Sequence, residues 1–224
     1  MGAFRKALEL GCDGVELDVR MTADQEIVVF HDRYTQRMTG IPGNIRKMTY
    51  QEVQHLWLNQ ENFPPEKIPT LQQVLETFGQ HMKIIIDIKK EFFARYPIEH
   101  RVVEIVTNTG TQENVIFSSF NPFVLKNILK LDGHLKVGFI FSYRSSMFLL
   151  NGQHVGSLHP RFKLLNPAYF QHLKQGKECV YAWTVDEPTE MRRLVNMGVD
   201  GIITNRPEIL LKIIQETQLP HLRP

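Results

Sequence analysis

Leu10-Gly11-Cys12-Asp13-Gly14-Val15-Glu16-Leu17-Asp18-Val19 is the stretch on which the reading of the fold turns. Ahead of it, Gly2 to Leu10 carries Phe4, Ala7 and Leu8 at helical spacing, and Gly11 stands where a helix is stopped. Behind it, Val15 to Val19 alternates apolar Val15, Leu17 and Val19 with acidic Glu16 and Asp18, the period-two pattern of a strand. The same joint returns near the other end as Met197-Gly198-Val199-Asp200-Gly201-Ile202, again a helix end, a glycine, Asp-Gly and a strand start. Gly-x-Asp-Gly is common by itself; used twice in this context, it suggests repeated strand–helix units.

Working outward, Ile27–Phe30 reads as a second strand, separated from the first only by residues 20–26. A parallel crossover needs about a dozen residues or more, so these two form an antiparallel hairpin excursion. Later strands are expected at Lys83–Ile88, Val115–Ser118, Lys136–Phe141, Val155–Leu158, Val180–Val185 and Gly201–Thr204. Helical patterns fall at Leu71–Phe78, Glu99–Thr107, Pro122–Leu131, Pro167–Lys174, Pro188–Met197 and Pro207–Thr217, several opening on a proline whose missing N–H costs nothing in a first turn. Near-continuous apolar strands alternating with helices imply a parallel sheet covered by helices. The expected fold class is α/β, a TIM-type (β/α) barrel filling residues 1–224 as a single domain, with residues 33–70 a short insertion. Without the hairpin strand the parallel strands number seven where a closed barrel has eight, so the first strand is expected to be missing.

Composition excludes several classes. Of 224 residues, 42% are hydrophobic and 22% charged, enough for one sizeable core. With 26 basic and 24 acidic residues the net charge is +2, and no strong field points to nucleic acid. Cys12 and Cys179 cannot build a disulfide framework and are expected as buried thiols in a reducing compartment. Glu9, Asp13, Glu16 and Asp18 rule out a signal-peptide core in the first twenty residues, and Val137–Leu150, broken by Arg144, is too short to span a bilayer. A cytoplasmic chain with no transmembrane segment is expected. Phe139, Phe141, Met147, Phe148 and Leu149 leave weak membrane contact open, although core packing is the expected use of most of them. Oligomeric state cannot be read from the sequence.

In a barrel, working groups gather where strands end and the following loops begin. Those ends carry Glu16 and Asp18, His31-Asp32, Asp87 with Lys89, Ser118-Ser119-Phe120, His159, Trp183-Thr184 and Thr204-Asn205. Period-two spacing puts Glu16 and Asp18 on one side of their strand, and Asp87 with Lys89 on one side of another. If those sides face the barrel mouth, three carboxylates and one cation converge, a donor set suited to Mg²⁺ or Ca²⁺. A structural ion-pair cluster with Lys89 as counter-ion is the alternative. His31 is the candidate proton donor, with a side chain that titrates near neutrality. Trp183 and Phe120 either pack in the core or line the pocket. Ser118-Ser119 lacks the Gly-x-Ser-x-Gly elbow, and no CxxC, HExxH, Walker A or GxGxxG pattern occurs.

Taken together, these segments resemble the glycerophosphodiester phosphodiesterase family over nearly the whole chain. The resemblance rests on Ala3–Gly11 leading into Gly14–Val19, then His31-Asp32, Ile68-Pro69-Thr70-Leu71, Asp87-Ile88-Lys89, Ser118-Ser119-Phe120, Ala182-Trp183-Thr184-Val185 and Gly201–Pro207, in the family's order. It implies a TIM-type barrel that hydrolyses glycerophosphodiesters to glycerol 3-phosphate and an alcohol, with a divalent metal as cofactor, and leaves lysophospholipids open as further substrates. By the same resemblance Glu16, Asp18 and Asp87 are the metal ligands, although many members have Glu at the position of Asp87. Lys89 neutralises phosphate, Phe120 and Trp183 flank the glycerol, and His31 is one of two catalytic histidines. The implied mechanism is attack of a glycerol hydroxyl on phosphorus, with one histidine taking its proton and the other protonating the leaving group, before water opens the cyclic phosphate. The family's His-Arg-Gly strand and the Glu-Asn-Thr after it are not in this sequence, and weak or no turnover by the chain as written is the resulting expectation. A barrel that binds a phosphodiester for regulation without cleaving it is the competing reading, and a Schiff-base role for Lys89 ranks last, since neighbouring carboxylates keep the amine protonated.

Overall fold

The repeated joint is built the same way at both ends of the chain. Gly11 at φ 76° and Gly198 at φ 80° end their helices in the left-handed region, which a residue with Cβ enters only under strain. After each glycine an Asp makes a strand-like contact: Asp13 accepts from the Lys83 N–H, and the Asp200 N–H donates to Val180. Each joint therefore stops a helix and sets the register of the next strand in one step.

The computed structural model describes residues 1–59, 64–90 and 97–218. Its strands are β1 (Gly14–Met21), β2 (Ile27–Val29), β3 (Trp57–Leu58), β4 (Glu66–Lys67), β5 (Lys83–Ile88), β6 (Val115–Ser119), β7 (Val137–Phe141), β8 (Ser157–Pro160), β9 (Cys179–Ala182) and β10 (Gly201–Ile202). The α-helices are α1 (Gly2–Glu9), α2 (Gln36–Thr39), α3 (Tyr50–Gln54), α4 (Leu71–Phe78), α5 (Ile98–Asn108), α6 (Pro122–Leu131), α7 (Pro167–Lys174), α8 (Pro188–Met197) and α9 (Pro207–Gln218). Eight strands form one sheet in the order β10-β9-β8-β7-β6-β5-β1-β2. Every pairing in it is parallel except β1 with β2, the hairpin read from the short residue 20–26 connection. Helices α4, α5, α6, α7 and α8 connect successive parallel strands; between β7 and β8 the connection holds only a 3-10 segment, Arg144–Leu150.

The main core runs along the sheet through Leu17, Val19, Ile84, Ile86, Phe117 and Phe139, packed against α4, α5 and α6. Helix starts are defined locally: Thr70 with Gln73 and Thr49 with Glu52 form capping boxes, while Asn121 and Asn166 cap α6 and α7 ahead of their prolines. The 33–70 segment is more than a connection. Ile45, Val53, Leu56 and Ile68 close with Val28 and Phe30 into a second apolar cluster beneath it. Among the described residues no helix is long and apolar enough to cross a membrane.

Several sequence expectations shift. Strand β8 occupies Ser157–Pro160 instead of Val155–Leu158, because Ser157 to Pro160 are the residues in register with Gly138 to Phe141. Strand β9 stops at Ala182, and Trp183 makes only a bridge to Arg161. Leu8 points out of α1 at 37% exposed, so only Phe4 and Ala7 pack inward. Phe139 and Phe141 are core, whereas Phe148 and Leu149 are exposed. Cys12 and Cys179 are free thiols only partly buried.

Candidate active site

Strand register assembles the acidic group. In the parallel pairing of β1 with β5, Asp18 lies directly beside Asp87 and Glu16 beside Ile85. Period two turns Glu16 and Asp18 to the same face of β1, and the intervening Leu17 is buried on the other. One carboxylate oxygen from each of Glu16, Asp18 and Asp87 falls within 4.8 Å of the others. Lys89, just past the end of β5, reaches back: its Nζ is 2.9 Å from Asp18 Oδ1 and also donates to Asp87 Oδ2. Glu16, Asp18, Asp87 and Lys89 thus meet where β1 runs beside the C-terminal half of β5.

The electrostatics of this group are strained. Burial, then repulsion from Asp18 and Asp87, pushes the Glu16 carboxyl up to about 8 despite relief from Lys89. Burial likewise raises Asp87 to about 6, against the pull of Lys89. Burial alone would lower the Lys89 ammonium, but Asp87 and Asp18 outweigh it and its pKa moves up. Fully ionised, three carboxylates face one ammonium. Asp87 Oδ1 is buried with no hydrogen-bond partner among the described residues. An orphaned acceptor beside hard oxygen donors, with net negative charge left over, fits a divalent cation such as Mg²⁺ or Ca²⁺.

His31 stands at the edge of this group. The Phe30 N–H donates to the Asp18 carbonyl, which brings the following residue alongside β1. His31 Nδ1 lies 2.7 Å from Asp32 Oδ1, and Arg37 Nε donates to Asp32 Oδ2 at 2.6 Å. The Arg37 hydrogen bond holds Asp32 down at about 2, so it stays ionised and fixes the ring. The imidazole is 65% exposed, yet near enough to lower Asp87. Arg20 donates from Nε to the His31 carbonyl. Arg20 was not singled out from sequence, although Glu16, Asp18 and Arg20 continue one period-two series on β1.

Phe120 and Trp183 lie across the mouth from the hairpin. Their rings meet edge to face with centroids 5.5 Å apart, and Lys89 Nζ sits 5.5 Å from the Phe120 centroid. The Trp183 Nε1–H donates to the His159 carbonyl, which fixes the indole. Other strand-end residues serve the scaffold. Ser118 and Ser119 hydroxyls donate to the Ile86 and Ile88 carbonyls. His159 is buried, 2.8 Å from Ser157 Oγ, and burial lowers its pKa to about 3, so it is neutral. Thr204 and Asn205 bind Asp186, another residue the sequence reading passed over, tying the loops after β9 and β10 together. A cleft of about 930 Å³ between α7 and α8, lined by Phe162, Leu165 and Met197 among others, lies outside the acidic group.

Comparison with known proteins gives this site its context. The model of the glycerophosphoryl diester phosphodiesterase family matches residues 1–209. A glycerophosphodiester phosphodiesterase from Caldanaerobacter subterraneus is 34% identical over 96% of this chain and 91% of its own. A human lysophospholipase D is 28% identical over 92% of this chain and 78% of its own. Among solved structures, a glycerophosphodiester phosphodiesterase from Parabacteroides distasonis superposes with a TM-score of 0.80 at 27% identity, covering 96% of this chain and 88% of that one. A phosphodiesterase from Oleispira antarctica in complex with sn-glycerol-3-phosphate superposes with a TM-score of 0.85 at 24% identity, covering 95% and 89%. With a family match over 209 residues and a TIM-type fold shared with these structures, the chain belongs to the glycerophosphoryl diester phosphodiesterase family of phosphodiester hydrolases.

Proposed function

We propose that the chain hydrolyses glycerophosphodiesters to glycerol 3-phosphate and an alcohol, with Glu16, Asp18 and Asp87 holding Mg²⁺ or Ca²⁺. The observation that carries this is the group of three carboxylates within 4.8 Å whose buried Asp87 Oδ1 has no protein partner. Bound there, the ion would act as a Lewis acid toward charge on the phosphoryl oxygens. The names of the Caldanaerobacter relative and the product bound in the Oleispira structure support the substrate class. The human relative's name extends it to lysophospholipids.

The chain's own residues divide the remaining work. Lys89 puts its ammonium between the acidic group and the Phe120 ring, where it neutralises a substrate phosphate while keeping Asp18 and Asp87 in place. Phe120 and Trp183 offer an apolar corner for the glycerol carbons. His31, with Nδ1 engaged by ionised Asp32, presents Nε2 to move a proton to or from a reacting oxygen. Chain and site form one domain in this reading. The sheet runs from β10 at one edge to β2 at the other, and β2 pairs only Val19–Met21 of β1, which supports a barrel whose first strand is missing.

Incubation of the purified chain with glycerophosphoethanolamine and Mg²⁺ or Ca²⁺, with and without EDTA, tests this. Expected is weak, chelator-sensitive release of glycerol 3-phosphate, abolished in Asp87→Asn. Calorimetric binding of the phosphodiester by folded chain with no release would overturn hydrolysis in favour of a barrel that only holds its ligand.

A further inference from the structure

The loops after β6, β7 and β8 share a second property that the hydrolytic reading does not use. Phe120 and Phe123 follow β6 and are 42% and 71% exposed; Tyr143, Phe148 and Leu149 follow β7 and are 70%, 86% and 60% exposed. These five are half of the ten large apolar side chains exposed among the described residues, and they sit on two neighbouring strand ends. Strands β5, β6 and β7 are parallel, so these loops emerge at the end of the sheet where Lys89 and Asp87 lie. Phe120 links this set to the acidic group, since its ring meets Trp183 edge to face and Lys89 Nζ lies 5.5 Å from its centroid.

The charge on the loops after β7 and β8 has one sign. Residues 133–177 contain no Asp or Glu. Their cations divide by position in the fold. Lys136, Lys174 and Lys177 lie at the opposite end of the strands, where Lys136 and Lys174 pair with Glu113 and Asp200. Arg144, Arg161 and Lys163 stand exposed on the loops after β7 and β8. Arg144 is held over the Tyr169 ring, its guanidinium 4.2 Å from the centroid, and donates to the Leu164 carbonyl, which fixes it on the rim. The nearest acidic side chains on this side in chain order, Asp186 and Glu187, belong to the loop after β9, and Asp186 is engaged by Asn205. Between β7 and β8 the chain offers no α-helix to cover Phe148 and Leu149, only the short 3-10 segment that displays them.

We infer that this rim docks on an anionic phospholipid surface, with Phe123, Tyr143, Phe148 and Leu149 entering the interface and Arg144, Arg161 and Lys163 beside the head-group phosphates. Exposed aromatic and aliphatic side chains beside exposed cations are what such a surface rewards: apolar groups settle at the acyl boundary, and each cation gains from the negative surface potential. A protein partner would have to meet exposed apolar side chains and a set of cations together, and an anionic bilayer supplies both complements at once. Docked this way, the mouth between Phe120, Trp183 and Lys89 faces the lipid, so a glycerophospholipid can enter from the membrane plane. The docking stands on the rim alone and does not require that the acidic group hydrolyse anything.

The test is co-sedimentation of the full chain with vesicles of phosphatidylcholine alone and of phosphatidylcholine with phosphatidylglycerol. Expected is binding to the anionic vesicles that weakens with added salt, and about a tenfold or greater loss of partitioning in the double variant Phe148→Ser, Leu149→Ser. The variant's thermal melt and its activity on soluble glycerophosphoethanolamine should match the parent, which separates lipid docking from the hydrolytic reading. Equal partitioning of parent and variant, or no binding to anionic vesicles, would overturn the inference. So would concentration-dependent dimerisation that the variant abolishes, since the rim would then be covered by a second copy.

Discussion

Replacing Glu16 by Gln should stabilise the metal-free chain at pH 8 and remove its response to divalent cations. Burial, with Asp18 and Asp87 adding repulsion, raises the Glu16 carboxyl from its ordinary 4.5 to about 8. A carboxyl whose folded-state pKa lies above its unfolded value binds its proton more tightly when folded. Its contribution is therefore harmless below pH 4.5, and stability is lost progressively as pH rises from there to about 8. At about 1.4 kcal/mol per unit, the loss is on the order of 4 kcal/mol once pH reaches 8. Asp87, raised to about 6, titrates with it and has the same sign. A glutamine in that place carries no charge but leaves amide groups imperfectly bonded, at about 2 kcal/mol. The net gain for Glu16→Gln is then about 2 kcal/mol at pH 8, or about 6 °C in Tm for a chain of this size.

Urea unfolding of both chains in EDTA at pH 5 and pH 8 reads this directly. The variant should be no more stable than the parent at pH 5, where Glu16 is protonated in the folded state, and more stable at pH 8. Adding Mg²⁺ or Ca²⁺ at a hundred times its dissociation constant should then stabilise the parent by about 2.7 kcal/mol and leave the variant unmoved. A parent–variant difference that is the same at both pH values would refute the electrostatic account of the cluster. A metal response that survives Glu16→Gln would show that Glu16 is not a ligand.

Lys89→Met strips the counter-ion from Asp18 and Asp87, and should cost about 3 kcal/mol in urea unfolding of the metal-free chain at pH 7 and at least about 100-fold in initial rate. Phe120→Ala removes half of the ring pair against Trp183, and steady-state kinetics should show KM rising with little change in kcat, the mark of lost ground-state packing. Gly198→Ala forces a side chain into φ 80° and should lower stability by about 1 kcal/mol by chemical denaturation, with kcat unaffected.

How much of this was legible beforehand depended on whether a feature is local. The helices Pro122–Leu131, Pro167–Lys174 and Pro188–Met197 match the sequence reading end to end, because proline at the start and amphipathic spacing are local signals. Strand limits moved because they are set by a partner: Ser157–Pro160 is a strand where β7 pairs with it, whatever its own propensity. The acidic group was found from period two on each strand, but the distance between its members was not, since that requires the β1–β5 register. The second apolar cluster under residues 33–70 escaped notice for a similar reason. Ile45, Val53 and Ile68 lie far apart in sequence, in short elements with no strong period, and only tertiary packing brings them onto Phe30.

The hairpin, more than a strand end at the mouth, sets the place of His31. The sequence reading groups it with the strand ends at the mouth while taking β1 and β2 as an antiparallel hairpin; the structure has that hairpin, so the end of β2 points the other way from the parallel strands. What places His31 near the carboxylates is the length of β1. Strand β1 continues past Asp18 to Met21, the hairpin turns there, and β2 retraces it until the Phe30 N–H meets the Asp18 carbonyl. The hairpin thus returns the chain by the number of residues needed to set His31 next to Asp18. A one-residue slip in β1–β2 pairing would turn Val28 and Phe30, now in the second apolar cluster, toward solvent, so the packing under residues 33–70 holds the register. Arg20 to the His31 carbonyl and Arg37 to Asp32 then lock the ring's position from either side. The insertion therefore belongs to the site: its apolar cluster fixes the register that sets His31 beside the carboxylates.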